Sequence, residues 1–107
     1  MLKSLVSVII PVYNTEAFLN RTLTSVTQQT LCDLEIICVN DCSSDGSLDI
    51  LEEWARRDSR IRILSFEQNQ GVSAARNAGF EQSKGNYIYY LDSDDWIDPD
   101  YLEAMYA

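Results

Sequence analysis

The chain has 107 residues, of which 46% are hydrophobic and 23% are charged, and its formal net charge is −9. This length and composition predict one globular domain with a single core and exclude long disordered segments. The negative charge argues against nucleic acid as a partner, because binding to a phosphate backbone needs a clustered basic surface.

The start of the chain and its cysteines bear on where the protein works. No apolar run is long enough to span a membrane, and no small-residue cleavage site follows the first residues, so no signal peptide is predicted. The odd set Cys32, Cys38 and Cys42 indicates reduced thiols, and without His or a second Cys pair a zinc site is disfavoured. Cys38 lies in an apolar run and is expected in the core. We therefore expect a cytoplasmic protein, and any association with a membrane would depend on other parts of a full-length chain.

The first apolar run and the stretch after it predict a strand and a helix. Residues 5–11 are rich in Val and Ile, as buried strands are, and Pro11 is expected to end the strand because proline cannot donate to a ladder. Residues 15–30 predict a helix capped by Asn14 or Thr15. Its apolar face is expected to contain Phe18, Leu19, Leu23 and Val26.

The rest of the chain repeats this alternation. The predicted elements are a strand over 34–40, a helix from 48 to near 59, a strand over 61–66, a helix over 71–83, a strand over 86–91 and a last helix opening at Asp98 and Pro99. Alternation with short connections predicts parallel strands and right-handed crossovers. The predicted fold class is α/β, an open, mostly parallel sheet with helices on both faces.

Ligands of such sheets bind beyond the carboxyl ends of the strands, so the segments after each strand form the candidate site. After the first strand, Tyr13 can stack on a base, or it can cover the first helix as a surface residue. After the second, the Asp41 carboxylate can accept hydrogen bonds from a ligand, or it can be a turn residue bonded to nearby backbone. Asp45 precedes a helix, and a capping role is the simpler reading.

The later strand ends carry charge. Gly71 opens a helix of small residues, in which the Arg76 guanidinium can contact phosphate or form a salt bridge with the acids near Asp92. After the fourth strand comes Asp92-Ser93-Asp94-Asp95, whose three carboxylates repel one another unless a cation or hydrogen-bond donors relieve them. Oxygen ligands suit Mg²⁺ or Mn²⁺, which also take phosphate oxygens. The run therefore predicts a metal and diphosphate site, and the alternative is a solvated acidic loop.

Four segments occur in the order VSVIIPVYN, EIICVNDCSSDGS, NQGVSAARNAG and YIYYLDSDDW. Their order and spacing resemble glycosyltransferase family 2, which has the Rossmann-like GT-A fold, and the resemblance runs from Val6 to about Met105. It implies that residues 1–107 are the nucleotide-sugar-binding, or donor, part of an inverting glycosyltransferase. The implied partners are a nucleoside-diphosphate sugar, with a UDP-sugar expected first, and a glycan or other acceptor hydroxyl.

The resemblance also implies roles for individual residues. Pro11 and Tyr13 would frame the base, Asp41 would bind it, and Arg76 would lie near the phosphates. The two acids of the family's DXD motif match Asp92 and Asp94, with Asp94 the direct ligand of Mg²⁺ or Mn²⁺ and Asp92 its partner. The full implied nucleotide-sugar set is Pro11, Tyr13, Asp41, Arg76, Asp92 and Ser93.

The implied reaction needs more than this chain. The family's acceptor-binding region and usual catalytic base lie further on than Ala107, so the base is expected beyond residue 107 and none is assigned here. Missing elements would leave apolar core exposed, which predicts self-association of a truncated sheet. A non-catalytic binding or assembly module therefore stays open as an alternative function.

Two other classes of doubly wound protein fit poorly. A receiver-like phosphoacceptor domain needs an acidic pair after the first strand, where this chain has Pro11-Val12-Tyr13. A nucleotidyltransferase would be expected to place a glycine-rich loop with a basic residue there, and the chain has none.

Overall fold

The computed structural model describes residues 5–106, in which four strands alternate with four helices. The strands are β1 (Val6–Val12), β2 (Leu34–Asn40), β3 (Ile61–Ser65) and β4 (Tyr87–Tyr90). The helices are α1 (Glu16–Thr27), α2 (Ser47–Arg57), α3 (Val72–Gln82) and α4 (Tyr101–Tyr106). All eight predicted elements are present in the predicted order.

The four strands form one parallel sheet in the order β3-β2-β1-β4. The chain therefore steps outward from β1 to β3 and then crosses back to place β4 on the other side of β1. This reversal opens a crevice between the carboxyl ends of β1 and β4, where ligands of open α/β sheets bind. The predicted α/β fold with a parallel sheet is confirmed.

Helices cover both faces of the sheet. On one face, alternate residues of β1 and β2 pack against α1, α2 and α4 through Leu19, Leu51 and Leu102. On the other face, Ala75 of α3 packs against β2. A Cβ added to Gly79 of α3 would lie 2.5 Å from Ile9 Cγ2, so glycine lets this helix approach β1 closely.

The prediction that Pro11 ends the first strand is wrong, because β1 continues to Val12. The carbonyl of Ile9 accepts from Leu91 N on the β4 side, and that of Val12 accepts from Asp41 N on the β2 side. Since successive residues of a strand face opposite neighbours, the nitrogen of Pro11 faces the β4 side, beyond the end of β4 at Tyr90. No ladder bond is lost there, and the strand tolerates proline.

Two details of α1 also differ from prediction. Phe18 is exposed, and the buried face of α1 instead contains Thr22 beside Leu19, Leu23 and Val26. Neither Asn14 nor Thr15 caps α1 through its side chain; Asp45 Oδ2 accepts from Glu16 N at 3.2 Å instead.

The last helix begins later than predicted, at Tyr101. The carbonyl of Asp98 accepts from Tyr101 N, and that of Pro99 accepts from Thr30 N in the loop after α1. Residues 98–100 therefore form a turn before the helix rather than its first turn. No helix within residues 5–106 is long and apolar enough to cross a lipid bilayer.

Candidate functional site

A cleft of about 440 Å³ lies at the carboxyl edge of the sheet, where the segments after all four strands meet. The sequence had predicted this position from the order of elements alone. The residues that line the cleft are Pro11, Val12, Tyr13, Thr15, Asp41, Asn69, Gly71, Val72, Ala75, Asp92, Ser93 and Asp94. Six of the seven residues predicted for nucleotide sugar and metal are in this set, and the seventh, Arg76, is joined to it through Asp92.

At one end of the cleft, Asp41 is only 3% exposed and holds the loop between β3 and α3. Its Oδ1 accepts from Gln70 N at 2.7 Å, and its Oδ2 accepts from Gly71 N at 2.9 Å and from Asn69 Nδ2 at 3.2 Å. A carboxylate offers about four acceptor positions, so these contacts leave one, on Oδ1, for a ligand. The bonds reach a neighbouring loop rather than nearby backbone, so the proposed turn role for Asp41 is wrong.

Tyr13 also lines the cleft and is 50% exposed, so its ring is available for stacking. The loop that carries Tyr13 is shaped by Asn14, which has a left-handed φ of 52°. The amide oxygen of Asn14 accepts from Ser44 N at 2.8 Å and from Asp45 N at 3.3 Å. These bonds fix the loops after β1 and β2 to each other.

Asp45 has the capping role that the sequence favoured, and it serves two helices. Its Oδ1 accepts from Ser47 N at 2.9 Å, at the start of α2, and its Oδ2 accepts from Glu16 N at the start of α1. Burial works against ionisation of this carboxyl, but hydrogen bonds with Ser47 and with the Glu16 backbone outweigh it and hold the pKa of Asp45 below 3.8. Asp45 therefore stabilises the scaffold of the site.

At the other end of the cleft, residues 92–95 form a turn, called the acidic turn below, closed by a hydrogen bond from Asp95 N to Asp92 O at 3.0 Å. Asp92 and Asp94 are exposed beside the cleft. Arg76 Nη2 lies 3.3 Å from Asp92 Oδ1, and its guanidinium lies over the ring of Tyr90 at 5.9 Å. The predicted salt bridge is present, and it brings the one cation of α3 to the acidic turn.

Ser93 differs from its acidic neighbours because it is only 5% exposed. Its hydroxyl accepts from Thr15 Oγ1 at 2.8 Å, which turns the side chain towards the start of α1. The Ser93 hydroxyl keeps its own hydrogen, so Ser93, which lines the cleft, can still donate to a ligand. The sequence did not predict Thr15 or the buried Thr22, whose hydroxyl contacts the acidic turn, as residues of the site. For Thr22, the sequence feature that could have indicated such a role is a polar residue on the apolar face of an amphipathic helix.

The donor set suits a hard divalent cation. Within residues 5–106, no group of three or more His, Cys, Asp or Glu side chains comes together to enclose a metal. Asp92 and Asp94 instead present two carboxylates on one turn, open to the cleft. Mg²⁺ and related ions are commonly bound by one or two carboxylates and complete their coordination with water and substrate phosphates. The residues present therefore fit an ion shared with a diphosphate.

A family model described as Glycosyl transferase family 2 matches residues 7–107. The chain is 48% identical over 100 residues to EpsH of Bacillus subtilis, by its name a candidate glycosyltransferase. The matched region covers 94% of this chain and 29% of EpsH. It is also 46% identical over 101 residues to the glycosyltransferase GlyA of Streptococcus pneumoniae, and this match covers 94% of this chain and 14% of GlyA. The chain thus spans less than a third of the length of these relatives.

The fold is similar to that of TarS from S. aureus, solved in complex with UDP-GlcNAc. The TM-score is 0.89 at 31% identity, and the match covers 94% of this chain and 30% of the TarS chain. Sequence and fold agree over nearly all of the described residues, which confirms the resemblance read from the four segments. The chain belongs to glycosyl transferase family 2.

Proposed function

We propose that this chain is the donor-binding part of an inverting glycosyltransferase, and that it binds a UDP-sugar with Mg²⁺ or Mn²⁺ in the cleft between β1 and β4. The observation that carries the proposal is the polarity of that cleft. A buried acceptor with one free position stands at one end, at Asp41, and exposed carboxylates with a guanidinium stand at the other. A nucleoside diphosphate has matching ends, a base with an N–H donor and an anionic diphosphate.

At the base end, the free position on Asp41 Oδ1 would accept the N–H of uracil, and Tyr13 would stack on the ring, with Pro11 beside it. A carboxylate accepts and cannot donate when ionised, so this end favours a base edge that presents an N–H. The solved complex of TarS with UDP-GlcNAc, at 31% identity, supports UDP as the first nucleotide to test.

At the phosphate end, Arg76 would bind a phosphate oxygen, while Asp94, with Asp92 as its partner, would hold the cation. The bound cation would stabilise negative charge on the leaving nucleoside diphosphate. Transfer to a glycan or other acceptor hydroxyl would further need a general base, which we expect outside residues 1–107. The role assigned to this chain is therefore to bind and orient the donor.

Calorimetric titration with UDP, with and without Mn²⁺, tests the metal assignment in Asp94→Asn. Asparagine keeps the shape of the side chain but removes the charge that the cation needs. We expect Mn²⁺ to raise the affinity for UDP in the wild type, and the substitution to reduce that increase by about tenfold or more. Asp100→Asn, at an exposed acid outside the cleft, is the control and should titrate like the wild type. Equal Mn²⁺-dependent affinity in wild type and Asp94→Asn would refute the assignment.

A non-catalytic assembly role is the second candidate function, because β4 is an edge strand of the sheet. Tyr87 and Tyr90 on it are each 43% exposed, which suits pairing with a second copy or with another part of a longer chain.

We also propose a cytoplasmic location. The exposed thiols of Cys32 and Cys42, neither of them in a disulfide, favour a reducing compartment.

A further inference from the structure

Helix α1 holds the backbone of the acidic turn at three consecutive carbonyl groups. Thr22 Oγ1 lies 2.9 Å from Ser93 O and 2.6 Å from Asp95 O, and Arg21 Nη2 lies 3.3 Å from Asp94 O. The two adjacent residues of α1 thus contact every carbonyl from 93 to 95. The Thr22 side chain is fully buried, whereas Arg21 is exposed. The hydrogen bond from Thr22 to Ser93 O is therefore buried, and the one to Asp95 O is partly buried.

The hydroxyl of Thr22 lies within hydrogen-bond distance of three carbonyl oxygens, although it has only one hydrogen to donate. It carries one hydrogen, and its oxygen also lies 3.3 Å from Phe18 O, one helical turn back. The two shortest distances are those to the acidic turn, so the proton is shared mainly between Ser93 O and Asp95 O. A single buried donor therefore fixes the separation of two carbonyls that flank Asp94.

Fixing these carbonyls also fixes the side chains between them. With the carbonyls of Ser93 and Asp95 turned towards α1, and the Ser93 hydroxyl bonded to Thr15, the carboxylates of Asp92 and Asp94 are left exposed beside the cleft. Three carboxylates in four residues would otherwise relieve their repulsion by separating. The hydrogen bonds from α1 to the backbone of the turn offset this repulsion and keep the carboxylates close together.

We infer that Thr22 is a positioning residue for the diphosphate end of the donor site, acting through the backbone of the acidic turn. The inference rests on the proposed function, because it assumes that Asp92 and Asp94 meet a cation and a diphosphate. Thr22 itself touches neither. It lowers the freedom of the turn before the ligand arrives, which reduces the ordering cost of binding.

Thr22→Val tests the inference because valine keeps the branched shape and removes the hydroxyl. Two amides report on the turn: Asp95 N closes it on Asp92 O, and Ile97 N, just after it, donates to Ser25 Oγ of α1. We expect hydrogen exchange of both amides to become about tenfold faster, as the loss of a buried hydrogen bond predicts. We expect the Mn²⁺-dependent part of the UDP affinity to fall by a similar factor, while UDP binding without metal is unchanged. Thr22→Ser should restore both properties.

Thr24→Val is the matched control, because the Thr24 hydroxyl on the same helix bonds to Asn20 O, at 2.7 Å, and to no other group in the described part of the chain. It should behave as the wild type in exchange and in binding. Arg21→Met covers the case in which Thr22→Val does not fold. Methionine keeps much of the length of the side chain but has no N–H to donate to Asp94 O, so this exposed substitution should also speed exchange in the acidic turn.

Several results would overturn the inference. Thr22→Val with wild-type exchange in residues 93–97 would do so, and so would faster exchange without loss of Mn²⁺-dependent UDP affinity. Exchange that rises equally in the core strands would indicate a general role in stability instead. A wild-type chain without Mn²⁺-dependent UDP binding would refute the proposed function, and the exchange comparison would still decide whether Thr22 holds the turn.

Discussion

At the scale of single residues, what distinguishes the acids of this chain is whether backbone donors already use their oxygens. Asp41 accepts hydrogen bonds from two backbone N–H groups of the loop between β3 and α3, and Asp45 accepts them from the backbone N–H groups of Glu16 and Ser47. Asp92 and Asp94 are exposed, and among the described contacts the Asp92 carboxylate meets only Arg76. Asp41 and Asp45 therefore help to build the cleft, while Asp92 and Asp94 have no backbone hydrogen bond to their carboxylates within residues 5–106.

Asp41→Asn should loosen the loop between β3 and α3. Either orientation of the new amide would set an NH₂ group against the N–H of Gln70 or Gly71, so one backbone donor would lose its acceptor. We expect the free energy of unfolding to fall by about 1–3 kcal/mol, measured by urea denaturation. Asp100→Asn should leave it nearly unchanged. A wild-type unfolding curve for Asp41→Asn would contradict this account of the loop.

Which residues meet at the site could be predicted from the sequence better than how they are held. Asp41, Asp92 and Asp94 follow predicted strands, so the topology alone brings them to one edge of the sheet. The contact of Thr22 with Ser93 and Asp95 joins residues more than 70 positions apart. No local pattern specifies such a hydrogen bond, and a buried Thr reads simply as an interruption of an apolar face.

At the scale of elements, prediction succeeded where periodicity decides and failed where hydrogen-bond direction decides. The alternation of apolar runs and amphipathic stretches was enough to predict four strands and four helices in order. The continuation of β1 through Pro11 depends on which neighbour its nitrogen faces. The late start of α4 depends on the carbonyl of Pro99, which is used by Thr30. Both require the tertiary arrangement of the strands and loops.

Asp58 and Arg60 join three elements near the opposite end of the sheet from the cleft. Arg60 Nη2 lies 2.8 Å from Asp58 Oδ2, at the end of α2, and also donates to Thr27 O, at the end of α1. Hydrogen bonding from the Arg60 side chain, despite partial burial, holds the pKa of Asp58 below its ordinary value of 3.8. Ionised Asp58 therefore stabilises the folded state relative to the unfolded chain.

Asp58→Asn should lower the melting temperature at neutral pH, since it removes an ion pair worth about 1 kcal/mol. Because the folded pKa is the lower one, the stabilisation is complete above pH 3.8 and is lost as the pH falls through the folded value. The difference in melting temperature between wild type and variant should thus shrink as the pH falls below 3.8. Glu53→Gln, which breaks the exposed pair with Arg56 on α2, should show little effect at any pH. A difference that stays constant down to low pH would contradict the assignment.

At the scale of the whole molecule, the order β3-β2-β1-β4 explains both the position of the cleft and the exposed edge. The crossover back to β4 creates the crevice beside β1, and it also leaves β4, with only four residues, at the end of the sheet. Tyr87 stacks on Tyr106 at 5.1 Å but stays partly exposed. Within residues 5–106, β4 therefore has an unpaired edge, with which another strand could pair.

Self-association through β4 should appear as a concentration-dependent dimer in sedimentation velocity. Tyr87→Lys places a charge on the edge strand and should shift the chain towards monomer, because lysine on an edge opposes strand pairing. Phe80→Lys changes an aromatic residue on α3 that is more exposed than Tyr87, and it should leave the association unchanged. A wild type that stays monomeric, or equal effects of the two variants, would refute this interface.

The central claim is that the cleft between β1 and β4 binds a nucleoside diphosphate with its base at Asp41 and its phosphates at the acidic turn. A crystal structure of the chain soaked with UDP and Mn²⁺ tests it most directly. The account predicts uracil beside Tyr13 with its N–H on Asp41 Oδ1, and anomalous density for manganese between Asp94 and the diphosphate. UDP bound outside this cleft, or in it with the diphosphate at Asp41 and no manganese near Asp94, would contradict the account.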